Sequence, residues 1–379
     1  MKPTHKLIFI LCMVLVLASI IYSCKKLHFH IWVQKTQHDA EETAVVLTQP
    51  KGAEVNRITV YDEQGFLLEL DTKLPPELAY KYGNLSDEVC KPGYAAAKMA
   101  SIYHKFRKVM PMFLDQNFKR LEKVNNYLPP FGFKTQEKVI EYILSATKHY
   151  RLRQELESLS CKRCIIVGNG GILFNKSLGS RIDGYDVVVR LNEAPVSGYS
   201  KDVGTKTTMR ITYPEGAIQN TENYEKDSLF VFSAFKPLDF KWLRQMVFKE
   251  KVKGTEGFWK SVARRVPRDA SEIRILNPYF IQEAAFQFIG LPFNNGLMGK
   301  GNIPTLGTVA ITMALHNCDE VAVAGFGYNL NMPNAPLHYY EGVKMSAIKE
   351  SWTHNIPKEK EFLRKLVKAK VITDLTNGI

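Results

Sequence analysis

The hydrophobic pattern divides the chain into three unequal stretches. Leu7 to Tyr22, LIFILCMVLVLASIIY, is an unbroken apolar run without a charge, flanked by Lys2 and Lys6 on one side and Lys25 and Lys26 on the other. Wound as a helix it reaches about 24 Å, enough for the thin bilayer of the early secretory pathway. Bulky Ile20, Ile21 and Tyr22 stand where a cleavable signal peptide needs small residues, so the run is expected to remain as a membrane anchor behind a cytoplasmic tail of residues 1–6. From residue 23 to 75 polar and apolar positions mix without a sustained period, the pattern of a stem. Residues 76–379 carry the folded body. Within it, short apolar runs read as strands at Cys164–Val167, Asp186–Leu191, Ser228–Phe232, Arg274–Leu276 and Glu320–Gly325. Thr305–His316 reads as a helix, with Thr305 as its cap. Strands at such intervals with helical stretches between them predict an α/β body, its mostly parallel central sheet flanked by helices. In that architecture ligands bind beyond the carboxyl ends of the strands. Two glycine-rich turns, Gly168-Asn169-Gly170-Gly171 and Gly325-Phe326-Gly327, follow two of the predicted strands.

Composition narrows the class. Of the 379 residues 45% are hydrophobic, too many for a disordered chain and enough for a sizeable core. The formal net charge of +13 suits an anionic partner. The basic residues are spread along the chain, with no zinc-finger spacing and no nucleic-acid motif, which favours a small anionic substrate over DNA or RNA. Both flanks of the apolar run are basic, so they do not set its orientation. Asn84-Leu85-Ser86 and Asn175-Lys176-Ser177 become glycosylation acceptors if the body is luminal. Of six cysteines, Cys12 and Cys24 belong to the apolar run or its edge; Cys90, Cys161, Cys164 and Cys318 form an even set suited to an oxidising lumen. Four cysteines allow three pairings. A Cys164–Cys318 bridge would tie the start of the first predicted strand to that of the fifth, a constraint of roughly 5 kcal/mol in the chain-entropy model, and Cys90–Cys161 would then be the second. A redox role for Cys161-Lys162-Arg163-Cys164 fits less well, because the pair opens a strand rather than a helix, and no second such pair follows to complete a zinc site.

The first glycine turn fits a nucleotide site, since glycines let backbone N–H groups approach a phosphate, but a ligand-free turn between strand and helix fits it equally. The dinucleotide fingerprint fails at its third glycine, where Leu173 stands, although Asp186 lies near the position of a ribose-binding acid. That mismatch, with the anchor, counts against a nicotinamide-dependent oxidoreductase. No Asp-x-Asp occurs, which suggests a donor that needs no metal clamp, such as a sugar activated by a single phosphate. His338, in His338-Tyr339-Tyr340-Glu341, and His354, five residues before Glu359, are the acid–base candidates; each has a glutamate nearby that could orient it. A packed or surface role is the common fate of a single histidine, and two in one short polar segment weaken that reading without reversing it.

Together these segments resemble the animal sialyltransferases. Cys161 to Ile211 is similar to the family's large sialylmotif, and Asn302 to Gly325 to its small one. His338-Tyr339-Tyr340-Glu341 resembles the third motif, and His354 with Glu359 the very small motif; all four stand in the family's order. Within the family the likeness is to enzymes that form α2,3 links on β-galactosides. The resemblance implies a GT-A-like Rossmann variant that works without a metal or any cofactor beyond its donor, CMP-N-acetylneuraminic acid. It implies that Asn169, Asn192, Gly307, Gly327 and His338 contact that donor, and that Trp259 stands near its phosphate. His354 would take the proton from the 3-hydroxyl of a terminal galactose in Gal-GlcNAc chains of glycoproteins or glycolipids, with inversion at the sialic acid. It also implies the Cys164–Cys318 bridge and a single-pass Golgi membrane protein with its body in the lumen. A membrane lectin that binds sialylated glycans without turnover, and a sister enzyme acting on lactosylceramide or making another linkage, are the rival readings.

Overall fold

The computed structural model describes residues 60–379, apart from 71–74, 87, 108–109, 253, 255, 294–300 and 351–352. The expected tail and anchor, and the stem up to residue 59, lie outside the described residues; among those described, no helix is long and apolar enough to cross a membrane. Tyr61–Ile379 forms one compact unit. Residues 61–70, assigned above to the stem, belong to it: Phe66 is fully buried, and Asp62 pairs with Lys365 at 2.6 Å.

The body is built on a seven-stranded sheet. Its strands are β1 (Arg163–Val167), β2 (Val187–Leu191), β3 (Met209–Thr212), β4 (Leu229–Phe232), β5 (Ile273–Ile275), β6 (Glu320–Ala324) and β7 (Thr373–Asp374). They lie in the order β5-β4-β3-β2-β1-β6-β7, and every pairing is parallel. A parallel sheet is covered on both faces, so its strands read as apolar runs rather than alternating ones. Side chains nevertheless alternate: Cys164 and Ile166 enter the large core on one face, Ile165 and Val167 the smaller core on the other. The five expected strands are present. Two more were not expected: β3, whose four residues include a buried arginine, and β7, two residues at the sheet edge.

After β1 the chain winds through β2 to β5 on one side and then returns to place β6 against β1 on the other. The crevice beyond the carboxyl ends at this reversal is where such sheets bind ligands. The return runs through the helix Leu306–Asn317, capped by the Thr305 hydroxyl and buried along nearly its whole length. Both expected disulfides are present, Cys90–Cys161 and Cys164–Cys318. The second joins Cys164, the second residue of β1, to Cys318, two residues ahead of β6, beside the strand pairing that creates the crevice.

Candidate active site

A cleft of about 390 Å³ opens at this reversal. Asn169, Asn192, Gly307, Gly327, His338 and His354, six of the seven residues expected to bind the donor or do chemistry, line it. They come from the turns after β1, β2 and β6, the start of the helix Leu306–Asn317, and two C-terminal segments. Trp259, the seventh, stands at the rim with its ring centroid 5.7 Å from that of Tyr213.

The glycines act differently from the way their sequence suggests. Gly168 N–H donates to the Ala324 carbonyl (2.8 Å), Gly170 N–H to Gly325 (3.0 Å), and Gly171 N–H to Leu337 (3.0 Å). These donors are occupied and not offered to a phosphate. A Cβ on Gly168 or Gly170 would stand 2.6 Å from the Gly325 oxygen, so the glycines let the turns after β1 and β6 press together. What the first turn presents to the cleft is Asn169. Its Oδ1 is buried without a hydrogen-bond partner, an acceptor suited to a hydroxyl or amino group. Amides suited to an anion sit elsewhere, at Leu306 and Gly307 in the first turn of the helix Leu306–Asn317, which line the cleft; the Thr308 N–H beside them is taken by the Thr305 hydroxyl.

Asn192 follows β2 with φ +53°, a left-handed conformation that asparagine tolerates better than most residues. Its carbonyl is held by the Arg210 guanidinium at 2.7 Å, and a second bond runs from Arg210 to Ala194 at 3.0 Å. Arg210 is buried against the Glu225 carboxylate. Burial alone would raise the Glu225 pKa, but the Arg210 charge and hydrogen bonds hold it below the usual value. Arg190, beside Arg210 in register, is brought down to about 10 by burial and then by its neighbour's charge.

His338 is carried onto the first glycine turn by a short antiparallel pairing. Tyr339 N–H donates to the Asn169 carbonyl at 3.1 Å, and Gly170 bridges to His338. The His338 ring stacks on Tyr340 with centroids 5.4 Å apart, and its Nδ1 pairs with Glu341, the partner its sequence neighbourhood offered.

His354 is oriented otherwise. Its Nδ1 lies 2.8 Å from the Ile303 carbonyl oxygen. A carbonyl only accepts, so Nδ1 is the donor, and in the neutral ring Nε2 is the nitrogen that carries the lone pair. Glu359, expected to orient His354, instead binds the start of the helix Leu306–Asn317. It accepts from Thr305 N–H (2.9 Å) and from the Thr305 and Thr308 hydroxyls (2.6 Å each). Burial raises its pKa against the opposing influence of the His354 charge and these bonds. The role of Ile303 had no signal in the sequence, because every residue has a carbonyl. Phe235, Tyr213, Lys260 and Lys360 also line the cleft without having been singled out. Lys260 pairs with Glu193 at 2.9 Å, and Lys360 donates to the Tyr328 carbonyl at 3.0 Å. Among the described residues no three His, Cys, Asp or Glu side chains gather as a metal-holding group. Asn84 and Asn175 are exposed.

Residues 113–371 match glycosyltransferase family 29, the sialyltransferases. A mouse protein named CMP-N-acetylneuraminate-beta-1,4-galactoside alpha-2,3-sialyltransferase is 63% identical over 375 residues, 99% of this chain and 98% of its own length. Its human namesake is also 63% identical, with the same coverage. Human lactosylceramide alpha-2,3-sialyltransferase is 40% identical over 79% of this chain and 73% of its own. Among solved structures, a mammalian sialyltransferase shares the fold with a TM-score of 0.58 at 22% identity, covering 77% of this chain and 98% of that one.

Proposed function

The chain belongs to glycosyltransferase family 29, the sialyltransferases, and on that premise we propose how its cleft transfers N-acetylneuraminic acid from CMP-sialic acid to the 3-hydroxyl of a terminal galactose. The observation that carries the reading is the His354 tautomer: Nδ1 is committed to Ile303, and Nε2 is left as a base in the cleft that also holds Asn169, Asn192 and His338. Nε2 takes the proton of galactose O3 as that oxygen bonds to the anomeric carbon of the sialic acid. The bond from that carbon to the CMP phosphate breaks on the opposite face, so the configuration inverts without a covalent enzyme intermediate. His338 donates a hydrogen bond or a proton to the departing phosphate. The Leu306 and Gly307 amides at the start of the helix Leu306–Asn317 stabilise the charge that accumulates there. Asn169 Oδ1 offers an acceptor to the nucleoside. No step requires a metal, and the body is read as a GT-A-like variant.

The acceptors are read as Gal-GlcNAc chains of glycoproteins and glycolipids, supported by the 63% identity to enzymes named for β1,4-galactosides. The anchor at 7–22, the luminal body with carbohydrate on Asn84 and Asn175, and residence in the Golgi membrane complete the proposal. The two disulfides and the exposure of both asparagines support it.

The test is transfer by the detergent-solubilised chain from CMP-sialic acid to N-acetyllactosamine, with the linkage read by a linkage-selective sialidase. His354→Ala should lower kcat by roughly a hundred- to ten-thousandfold, as loss of a general base does. Full activity in that variant would overturn the assignment of the base, and binding of sialylated glycans without transfer by the wild type would favour a lectin.

A further inference from the structure

The wall of the cleft beside His354 is aromatic. Phe235 stands edge-on to the His354 ring with centroids 6.4 Å apart, Trp259 follows 6.1 Å from Phe235, and Tyr213 lies 5.7 Å from Trp259. Phe235 and Tyr213 line the cleft, and Trp259 carries the wall outward to the rim, where 53% of it is exposed. Its exposure does not make it loose. The Lys236 ammonium lies 4.5 Å from the centre of the indole and is itself fixed by Glu215 (2.7 Å) and Asp239 (2.8 Å), both with fully buried side chains. A large ring pinned from one side and open elsewhere is a preorganised contact surface whose ordering cost has been met before a ligand arrives.

We propose that Trp259 is the platform for the sugar next to the terminal galactose of the acceptor. The inference rests on His354 as the base. Galactose O3 must then reach Nε2, and the aromatic wall that starts at His354 gives the rest of the acceptor a path outward. A pyranose ring presents an apolar C–H face that packs on an indole, and its hydroxyls stay in water at an open rim. This moves Trp259 from the donor phosphate, where the family resemblance put it, to the acceptor. The groups suited to a phosphate, His338 and the start of the helix Leu306–Asn317, are other parts of the cleft, and the His338 ring stacks on Tyr340 rather than on this wall.

The experiment measures initial rates of the solubilised full chain and of Trp259→Ala and Trp259→Phe. CMP-sialic acid, N-acetyllactosamine and methyl β-galactoside are each varied. Trp259→Ala should raise the KM for the disaccharide about fivefold to tenfold while the donor KM stays within about twofold. The monosaccharide, which does not reach the platform, should lose much less, and Trp259→Phe should recover most of the disaccharide affinity. A raised donor KM with an unchanged disaccharide KM would overturn the proposal and return Trp259 to the phosphate. Equal losses for both acceptors would overturn it as well. A wild-type chain that transfers no sialic acid to any acceptor would overturn the reading of the cleft itself, and this platform with it.

Discussion

Glu359 offers the sharpest test of how the site is held together. Its carboxylate ties the segment that carries His354 to the helix whose first turn faces the cleft, through three hydrogen bonds to Thr305 and Thr308. In Glu359→Ala the two hydroxyls, 3.2 Å apart, can satisfy each other, but the Thr305 N–H loses its acceptor. Leaving one buried donor unmet costs about 1–3 kcal/mol, and for a body of this size each kilocalorie lowers Tm by about 1–2 °C. The kcat should fall as well, because the base and the helix start lose their common tie. Glu359→Gln separates charge from shape. Burial raises the Glu359 pKa, so the folded chain keeps a proton that the unfolded chain releases above the ordinary glutamate value of 4.5. Between that value and the raised one, wild-type stability falls as pH rises. Glutamine keeps the shape and neutrality of the protonated acid, with an amide donor in place of its hydroxyl, and has no proton to lose. The Gln variant should therefore gain on the wild type as the pH is raised above the ordinary glutamate value, measured by thermal melts at several pH values. If Glu359→Gln instead falls further behind the wild type on raising the pH, the carboxylate is stabilised as an anion, and the reasoning is wrong.

Gly168→Ala places a Cβ 2.6 Å from the Gly325 carbonyl oxygen, so the two turns must part. A cost of about 1–3 kcal/mol and a raised KM for CMP-sialic acid are expected from thermal melts and donor titrations; an unaltered donor KM would mean that the contact does not shape the site. Replacing Cys164 and Cys318 together by serine opens a bridge spanning 154 residues and should cost about 2–5 kcal/mol, seen as a lower Tm and as loss of any further effect of reductant on that bridge.

What the sequence disclosed follows from what each element buries. β1, β2, β4, β5 and β6 were legible because strands covered on both faces are written as apolar runs. β3 was hidden because half of its four residues, Arg210 and Thr212, are polar though buried. Arg210 is the group that fixes the Asn192 turn, so the residue that obscured the strand is one the site depends on. β7 is too short to carry a pattern. The cleft was legible where side chains line it: the two histidines and the two asparagines singled out in the sequence are brought together there. It was not legible where backbone atoms do the work. The Ile303 carbonyl that selects the His354 tautomer leaves no mark on residue identity. Gly168 and Gly170 marked the right turn for another reason, since each presses on the Gly325 carbonyl of the turn after β6. The pairing of His354 with Glu359 looked local in sequence, yet the carboxylate spends its lone pairs on threonines more than fifty residues earlier. The cleft is thus a meeting of backbones, β1 turn on β6 turn and C-terminal segment on helix start. Its side chains can only be aligned for transfer when those backbone contacts close, which is why substitutions at Glu359 and Gly168, neither of them an acid–base group in the reaction, are expected to reach the chemistry.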